Sequence, residues 1–289
     1  MLAKQGLKIL QSGPMSLIQG QARRGMQHLG FSEGGPCDAY SHYWANYLLG
    51  NEAMATALEI TMGPFSAEFQ QSTNIALCGA KFVATLNGQL IDTWATHTVQ
   101  PGDVLSLRPN NDGLRLYLAV NGGFQVTAAM GFNTELPKEV FFERLVRNEA
   151  VLPYLSAQKA GWINKAVPSN YIPDYKAKLT LRVFPSYQYQ FFAEQERKRL
   201  CSNDYQVSAM SDRMGYRLQG EVIDWRGGEL LSEGIALGSV QIPADGQPIV
   251  LLNDRQSIGG YPKLGCVIKE DCNQLAQRQA GQKVRFEFL

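Results

Sequence analysis

Apolar residues in this chain come in short runs, many alternating with polar residues, and glycine, proline or Asn/Asp turns interrupt them repeatedly. In the first half the runs are Ser16–Gln19, Leu58–Met62, Ser66–Phe69, Ile75–Leu77, Phe82–Leu86, Val104–Leu107 and Arg115–Val120. In the second they are Leu179–Phe184, Tyr205–Ala209, Gly215–Leu218, Ile249–Leu252, Leu264–Ile268 and Val284–Phe288. Alternation with period two and dense turn signals predict strands in the rhythm of barrels and sandwiches. Asn87–Gly88, between FVATL and QLID, is the strongest hairpin signal.

Helical candidates are few. Asp38 can cap a helix over Ala39–Leu49 that Gly50–Asn51 stops. Tyr187–Leu200 and Asp271–Gln279 are the others. Three matched pairs also run in order through the two halves: RRGMQHLG (23–30) with RMGYRLQG (213–220), LEITMGPFSAEF…IALCG (58–79) with LLSEGIALGSVQI…IVLLN (230–253), and VQPGDVLSL (99–107) with RQAGQKVRF (278–286). Their common order predicts duplicated β domains over 1–125 and 179–289. The stretch 126–178 reads as a connector broken by Pro137, Pro153, Pro168 and Pro173.

The densest chemistry lies between Glu229 and Lys263. Three carboxylates (Glu233, Asp245, Asp254), three amides (Gln241, Gln247, Gln256), Arg255 and Lys263 stand there between short apolar runs punctuated by glycine and proline. Strands ending in polar, glycine-bearing turns can aim several donors and acceptors into one pocket.

Bulk composition narrows the classes. A chain of 289 residues with 45% hydrophobic and 18% charged residues has room for two globular domains. A net charge of +1 gives no electrostatic case for nucleic acid or an anionic membrane, and the longest apolar runs are too short to span a bilayer. The first residues, MLAKQGLKILQSG, do not read as a signal peptide. Five cysteines without CxxC spacing fit reduced thiols in the cytoplasm. No GxxxxGK[ST] loop, HExxH, GxSxG elbow or biotin-attachment Met-Lys-Met is present. Any ATP is therefore not held by a P-loop, and biotin, if used, arrives on another chain.

SDRMGYRLQG (211–220), ELLSEG (229–234), VQIPADGQPIVLLNDRQSIGGYPK (240–263) and LAQ (275–277) are joined in the first half by GPMSLIQ (13–19), RGMQHLGFSEGGPCD (24–38), ANYLLGN (45–51), ALEITMGP (57–64), CGA (78–80) and YLAVNGGF (117–124). With these motifs the chain resembles the family of the 5-oxoprolinase C subunit, also called allophanate hydrolase subunit 2. That family is similar to part of the carboxyltransferase domain of urea carboxylase. The resemblance covers nearly all of the chain outside roughly 130–178. It implies a mainly β fold of two tandem cyclophilin-like β-barrels with a few short helices. It also implies a cytoplasmic complex with a B subunit of related fold and a separate A subunit. The implied reaction opens the lactam 5-oxoproline to L-glutamate, with ATP and Mg as co-substrate of the complex. The chain departs from the family at 20–22, where Gly20, Gln21 and Ala22 replace an aspartate-led run. Further departures are Ser186–Tyr187 in place of glycine–proline, the short FNTELPKEVFF (132–142), and Ser257–Ile258 in place of paired threonines.

Activating an amide carbonyl needs cations for developing negative charge and a carboxylate for metal or proton transfer. The catalytic candidates are Arg213 and Lys263 as cations, with Asp254 and Glu233 as acids. Asp245 is a further acid candidate, placed here with the substrate-binding set of Gln241, Gln247, Gly259, Gly260, Tyr261 and Glu59. Each has a structural alternative: Arg213 paired with Asp212 or Glu233, Lys263 solvated, Asp254 and Asp245 as turn caps, Gly259–Gly260 as a tight hairpin. Glu59, alternating with apolar neighbours, is expected to point into the first barrel as a paired or functional charge. The alternatives to a role in 5-oxoprolinase are a carboxyltransferase component acting on urea or a related amide, and a non-enzymatic antagonist of a histidine-kinase inhibitor that binds the B-type partner.

Overall fold

Most of the runs marked by alternation become strands. The structure is a computed structural model, and it describes residues 5–126, 132–137, 145–156, 164–228 and 230–289. Two units divide the chain: Met1–Ala22 with Gly34–Tyr175, and Arg23–Glu33 with Lys176–Leu289. The described parts of 126–175 therefore cluster with the first unit, and residues 23–33 with the second.

The first unit holds β1 (Gly6–Gln11), β2 (Met15–Gln19), β3 (Ala57–Thr61), β4 (Phe65–Phe69), β5 (Thr73–Gly79), β6 (Phe82–Leu86), β7 (Gln89–Ile91), β8 (Ala95–Val99), β9 (Val104–Pro109), β10 (Arg115–Val120) and β11 (Val151–Pro153), with helix α1 (Ala39–Leu49). They form a six-stranded sheet, β11-β1-β4-β9-β6-β7, and a five-stranded sheet, β2-β3-β10-β5-β8. Asn87 and Gly88, both at positive φ, make the tight turn between β6 and β7.

Strands β3, β5 and β10 are buried on both faces. Leu58, Ile60, Ile75, Leu77, Leu116 and Leu118 join the main core. Their neighbours one residue away, Ala57, Ala76, Cys78, Tyr117 and Ala119, pack with Ala45, Leu48 and Leu49 of α1. Period-two geometry accounts for this split. Burying Leu48 and Leu49 contributes about 1.5–3 kcal/mol each. Asp38 caps α1, its Oδ1 accepting from the backbone N–H of Tyr40 and Ser41 at 3.1 Å each. Gly50 ends it in the left-handed conformation.

The second unit holds β12 (Leu179–Pro185), β13 (Asp204–Val207), β14 (Gly215–Gln219), β15 (Glu233–Gly234), β16 (Ser239–Gln241), β17 (Ile249–Leu251), β18 (Ile258–Gly259), β19 (Lys263–Val267) and β20 (Lys283–Phe288), with α2 (Glu194–Ser202) and α3 (Lys269–Leu275). Seven strands close a barrel in the order β12-β19-β16-β17-β14-β13-β20. Parallel pairing of β12 with β20 brings the two ends of the unit together, and closure leaves no sheet edge exposed. A separate two-stranded ribbon, β15–β18, carries Glu233 opposite Gly259.

Several expectations need correction. The helix expected over Tyr187–Leu200 begins only at Glu194, because Tyr189–Phe191 makes a single 3₁₀ turn first. The one expected at Asp271–Gln279 runs over Lys269–Leu275, with Asp271 in its first turn bonded to Arg182 of β12. Residues 27–29 of RRGMQHLG form a 3₁₀ turn whereas 215–219 is a strand, so that matched pair has no common structure. VQPGDVLSL and RQAGQKVRF do share a turn followed by a strand.

Candidate functional site

In the second unit a bulge decides which side chains meet. β16 pairs with β19 so that Val240 faces Gly265 and Gln241 faces Lys263, the register slipping between them. Residues directly opposite on antiparallel strands project to the same face, so the Gln241 and Lys263 side chains stand side by side. Bulges often re-aim side chains in this way.

Lys263 is only 7% exposed, and its Nζ is ion-paired to Glu233 Oε1. Glu233 reaches it from β15, and its Oε2 accepts the Tyr187 hydroxyl at 2.7 Å. Gln188 ties the group together. Its Nε2 donates to Glu233 Oε1 at 3.1 Å and to the Tyr187 hydroxyl at 2.7 Å, while its Oε1 accepts from the Lys263 backbone N–H at 2.7 Å. Ser186 Oγ donates to the Lys263 carbonyl. The sequence reading marks Tyr187 only as a departure from the family and as the start of a helix, and it carries no signal for Gln188. The turn after β12 brings both to the cluster.

Charge in this cluster is well defined. The Lys263 ammonium, and secondarily the Tyr187 hydroxyl, hold the Glu233 carboxyl below the ordinary glutamate range. The hydrogen bond to Glu233 raises the Tyr187 phenol in turn. A buried ammonium, an ionised carboxylate and a neutral phenol thus stand together, with Tyr187 largely exposed. The arrangement can stabilise an oxyanion at Lys263 and accept a proton at Glu233.

Gly259 covers the neighbouring Gln241 amide with bare backbone: a Cβ there would stand 3.4 Å from Gln241 Nε2 and 2.8 Å from Ile235 Cδ1. Gly259 sits in β18, opposite Glu233, and Gly260 follows it beside Ser232. The pair is therefore not the tight hairpin of the alternative reading. Tyr261 is half-exposed.

Arg213 and Asp254 meet in a buried bidentate ion pair, Nε–Oδ2 and Nη2–Oδ1 both at 2.8 Å. Asp254 is thus a partner of Arg213 that the structural reading, which considered Asp212 and Glu233, did not name. Asp212 Oδ1 accepts from the backbone N–H of Met214 and Gly215. Arg255, next along, bonds to the carbonyl of Ile235 at 3.0 Å and to Glu33 Oε2 at 2.7 Å. Together these pairs tether the segment leading into Gly259. Lys263 is likewise buried and paired, not solvated.

Three candidates are elsewhere. Asp245 is exposed and accepts from the Gln247 backbone N–H at 3.1 Å, a turn cap beside Gly246. Gln247 exchanges hydrogen bonds with the Gly220 backbone, at 2.9 Å and 3.2 Å. Glu59 belongs to the first unit, on the α1 side of β3 and not in the core between the sheets. Its Oε2 accepts from the Tyr117 hydroxyl at 2.7 Å and the Cys37 N–H at 2.9 Å, and Arg115 Nε lies 3.5 Å from Oε1. Among the described residues no three His, Cys, Asp or Glu side chains are grouped to hold a metal ion. No helix among them is long and apolar enough to cross a membrane.

A mainly β architecture with a closed barrel, carrying this cluster on β15, β16 and β19, defines the class. The chain belongs to the family described as carboxyltransferase domain, subdomain A and B, whose match runs over residues 29–288. More particularly, it is 35% identical to the C subunit of 5-oxoprolinase from Escherichia coli over 97% of this chain and 90% of that one. It is 31% identical to the C subunit of 5-oxoprolinase from Haemophilus influenzae, over 98% and 91%. A putative urea carboxylase of Emericella nidulans is 29% identical over 97% of this chain, which spans 24% of that longer protein. Among solved structures, that of TTHA0988 superposes with a TM-score of 0.88 at 33% identity, covering 99% of this chain and 56% of its own.

Proposed function

We propose that this chain is the C-type subunit of an ATP-dependent 5-oxoprolinase, completing a lactam-opening site together with A-type and B-type partners. The observation that carries the reading is the buried Lys263 ammonium held against Glu233 and Tyr187 at the barrel wall. The identity to two proteins named as the C subunit of 5-oxoprolinase supplies the substrate. ATP, with Mg, supplies the activation of the lactam carbonyl. The residues of this chain do the rest. Lys263 neutralises charge on the carbonyl oxygen, Glu233 accepts a proton from the attacking water, and Gln188 and Tyr187 hold both in place.

Combining this chain with its purified A-type and B-type partners, ATP and 5-oxoproline should release glutamate. Lys263→Met should assemble normally and lower kcat by at least about a hundredfold, the scale of a lost oxyanion contact. Absence of glutamate under every combination of the three proteins would overturn the proposal. A second reading, transfer of carboxylate to a urea-type amide from biotin on a separate carrier, is favoured by the likeness to the urea carboxylase. Urea carboxylation by the same mixture supplied with a biotinylated carrier would select it.

A further inference from the structure

The geometry points to Gln241 as the specificity element of this site: its carboxamide pairs, through two hydrogen bonds, with the N–H and C=O edge of a cis-amide. The inference rests on the reading above and names the feature of the substrate that the site recognises.

Gln241 is 1% exposed, and its Nε2 is buried without a hydrogen-bond partner. Its Oε1 makes no hydrogen bond among the described residues either. A buried polar group left in this state costs about 1–3 kcal/mol, and native proteins keep few of them. Gln247, by contrast, is satisfied at both ends by Gly220. Two further observations place the Gln241 amide in the site. It stands opposite Lys263 because of the bulge at Leu264 in β19. The residue beside its Nε2 is the partly exposed Gly259, where any Cβ would crowd the amide. Approach therefore runs past backbone that carries no side chain.

Along one edge a primary carboxamide presents one of its two N–H donors beside its carbonyl acceptor, in a single plane. A ligand fills both only if its own N–H and C=O lie on the same side of the bond. A five-membered lactam is locked in that form by its ring. An open-chain secondary amide is trans, and turning it cis costs about 2.5 kcal/mol or more. Gln241 thus accepts the ring and discriminates against γ-linked open-chain amides. Once the ring is opened, the N–H and C=O edge no longer exists, and glutamate loses this contact. Urea presents the same edge, so the chemistry recognised is shared by the lactam and the urea-type amide.

The test uses the assembled complex with three ligands: 5-oxoproline, its lactone counterpart with ring oxygen in place of N–H, and N-methyl-5-oxoproline. In the wild type, calorimetry should show both modified rings binding at least about tenfold more weakly than the parent. In Gln241→Met, a near-isosteric apolar change, 5-oxoproline should weaken about tenfold and its preference over the lactone fall to about one. Thermal melting and co-elution with the partners check that the variant is folded. Equal binding of parent, lactone and N-methyl ring by the wild type, which needs no variant, would overturn the inference. So would an unchanged preference in Gln241→Met. Hydrolysis with no preference sinks the role of Gln241 alone. Preferential lactam binding without hydrolysis sinks the assigned reaction and keeps that role, and tighter binding of urea than of the lactam points to the carboxyltransferase source.

Discussion

Glu233 sits where one proton changes the site. Its carboxylate carries Lys263 on one oxygen and Tyr187 on the other, and both favour the ionised form. The acid limb of kcat/KM should accordingly fall below the ordinary glutamate range. Removing the phenolic hydroxyl with Tyr187→Phe deletes a donor to the charged form, so the Glu233 pKa rises and the acid limb moves to higher pH. Lys263 keeps its own pairing in that variant, so activity on the plateau should change less than the position of the limb. A pH–rate profile of the assembled complex checks both, and an unmoved limb would remove Glu233 from the proton-transfer role. The grouping of Glu233, Gln241, Gly259 and Lys263 was legible because all four fall in one dense polar segment. Tyr187 and Gln188 were not: they act from a turn more than forty residues earlier, where an exposed tyrosine and one glutamine look like ordinary surface. Asp245 and Gln247 carry the same residue types as the site but serve a turn. Composition alone does not separate the two uses.

Helix α1 shows what an element can disclose in advance. Asp38 and Gly50 bound it as expected from capping rules, and its inner face follows from which residues are small or apolar. Beyond the two backbone N–H groups, Asp38 also accepts the Ser41 hydroxyl at 2.6 Å. Asp38→Ala should therefore destabilise the first unit by about 1–2 kcal/mol, the upper range for an N-cap, read as a shift in the urea midpoint at constant slope. Loss of less than half a kcal/mol would mean the helix is held by its packing on β5 and β10 alone. Long alternating strands such as β6 and β10 were equally legible, with boundaries as expected. The elements that build the candidate site were harder to read. β15 and β18 are two residues each and β16 is three, too short for any period to register. The bulge that sets Gln241 against Lys263 is a matter of pairing, to which a single strand's sequence is blind.

Across the chain, the two units use different solutions to the same problem. The second closes a barrel through the parallel β12–β20 pair, while the first stacks two sheets and covers one of them with α1. The expected duplication was read from three matched sequence pairs in common order, which mark repetition but do not tell a stacked pair of sheets from a closed barrel. Covering a sheet with a helix has a thermodynamic consequence, because it buries His42. This imidazole is fully enclosed, with Tyr117 edge-on at 5.8 Å, Nε2 3.2 Å from the Gln19 carbonyl, and Nδ1 without a partner. Burial lowers its pKa from 6.5 to about 4, against weaker raising effects of the Gln19 carbonyl and Glu59. Above pH 6.5 the side chain is neutral folded or unfolded, and its full contribution is present. Between pH 6.5 and about 4 only the unfolded chain takes up the proton, so stability falls as the pH falls. The loss accumulates to about 3 kcal/mol and levels off below pH 4. Urea unfolding followed from pH 7.5 to 4.5 should show this decline, and His42→Gln should flatten that part of the curve while leaving the carboxylate-driven loss at lower pH. If wild type and His42→Gln kept parallel curves across that range, the imidazole would be titrating in the folded protein and the burial argument would fail.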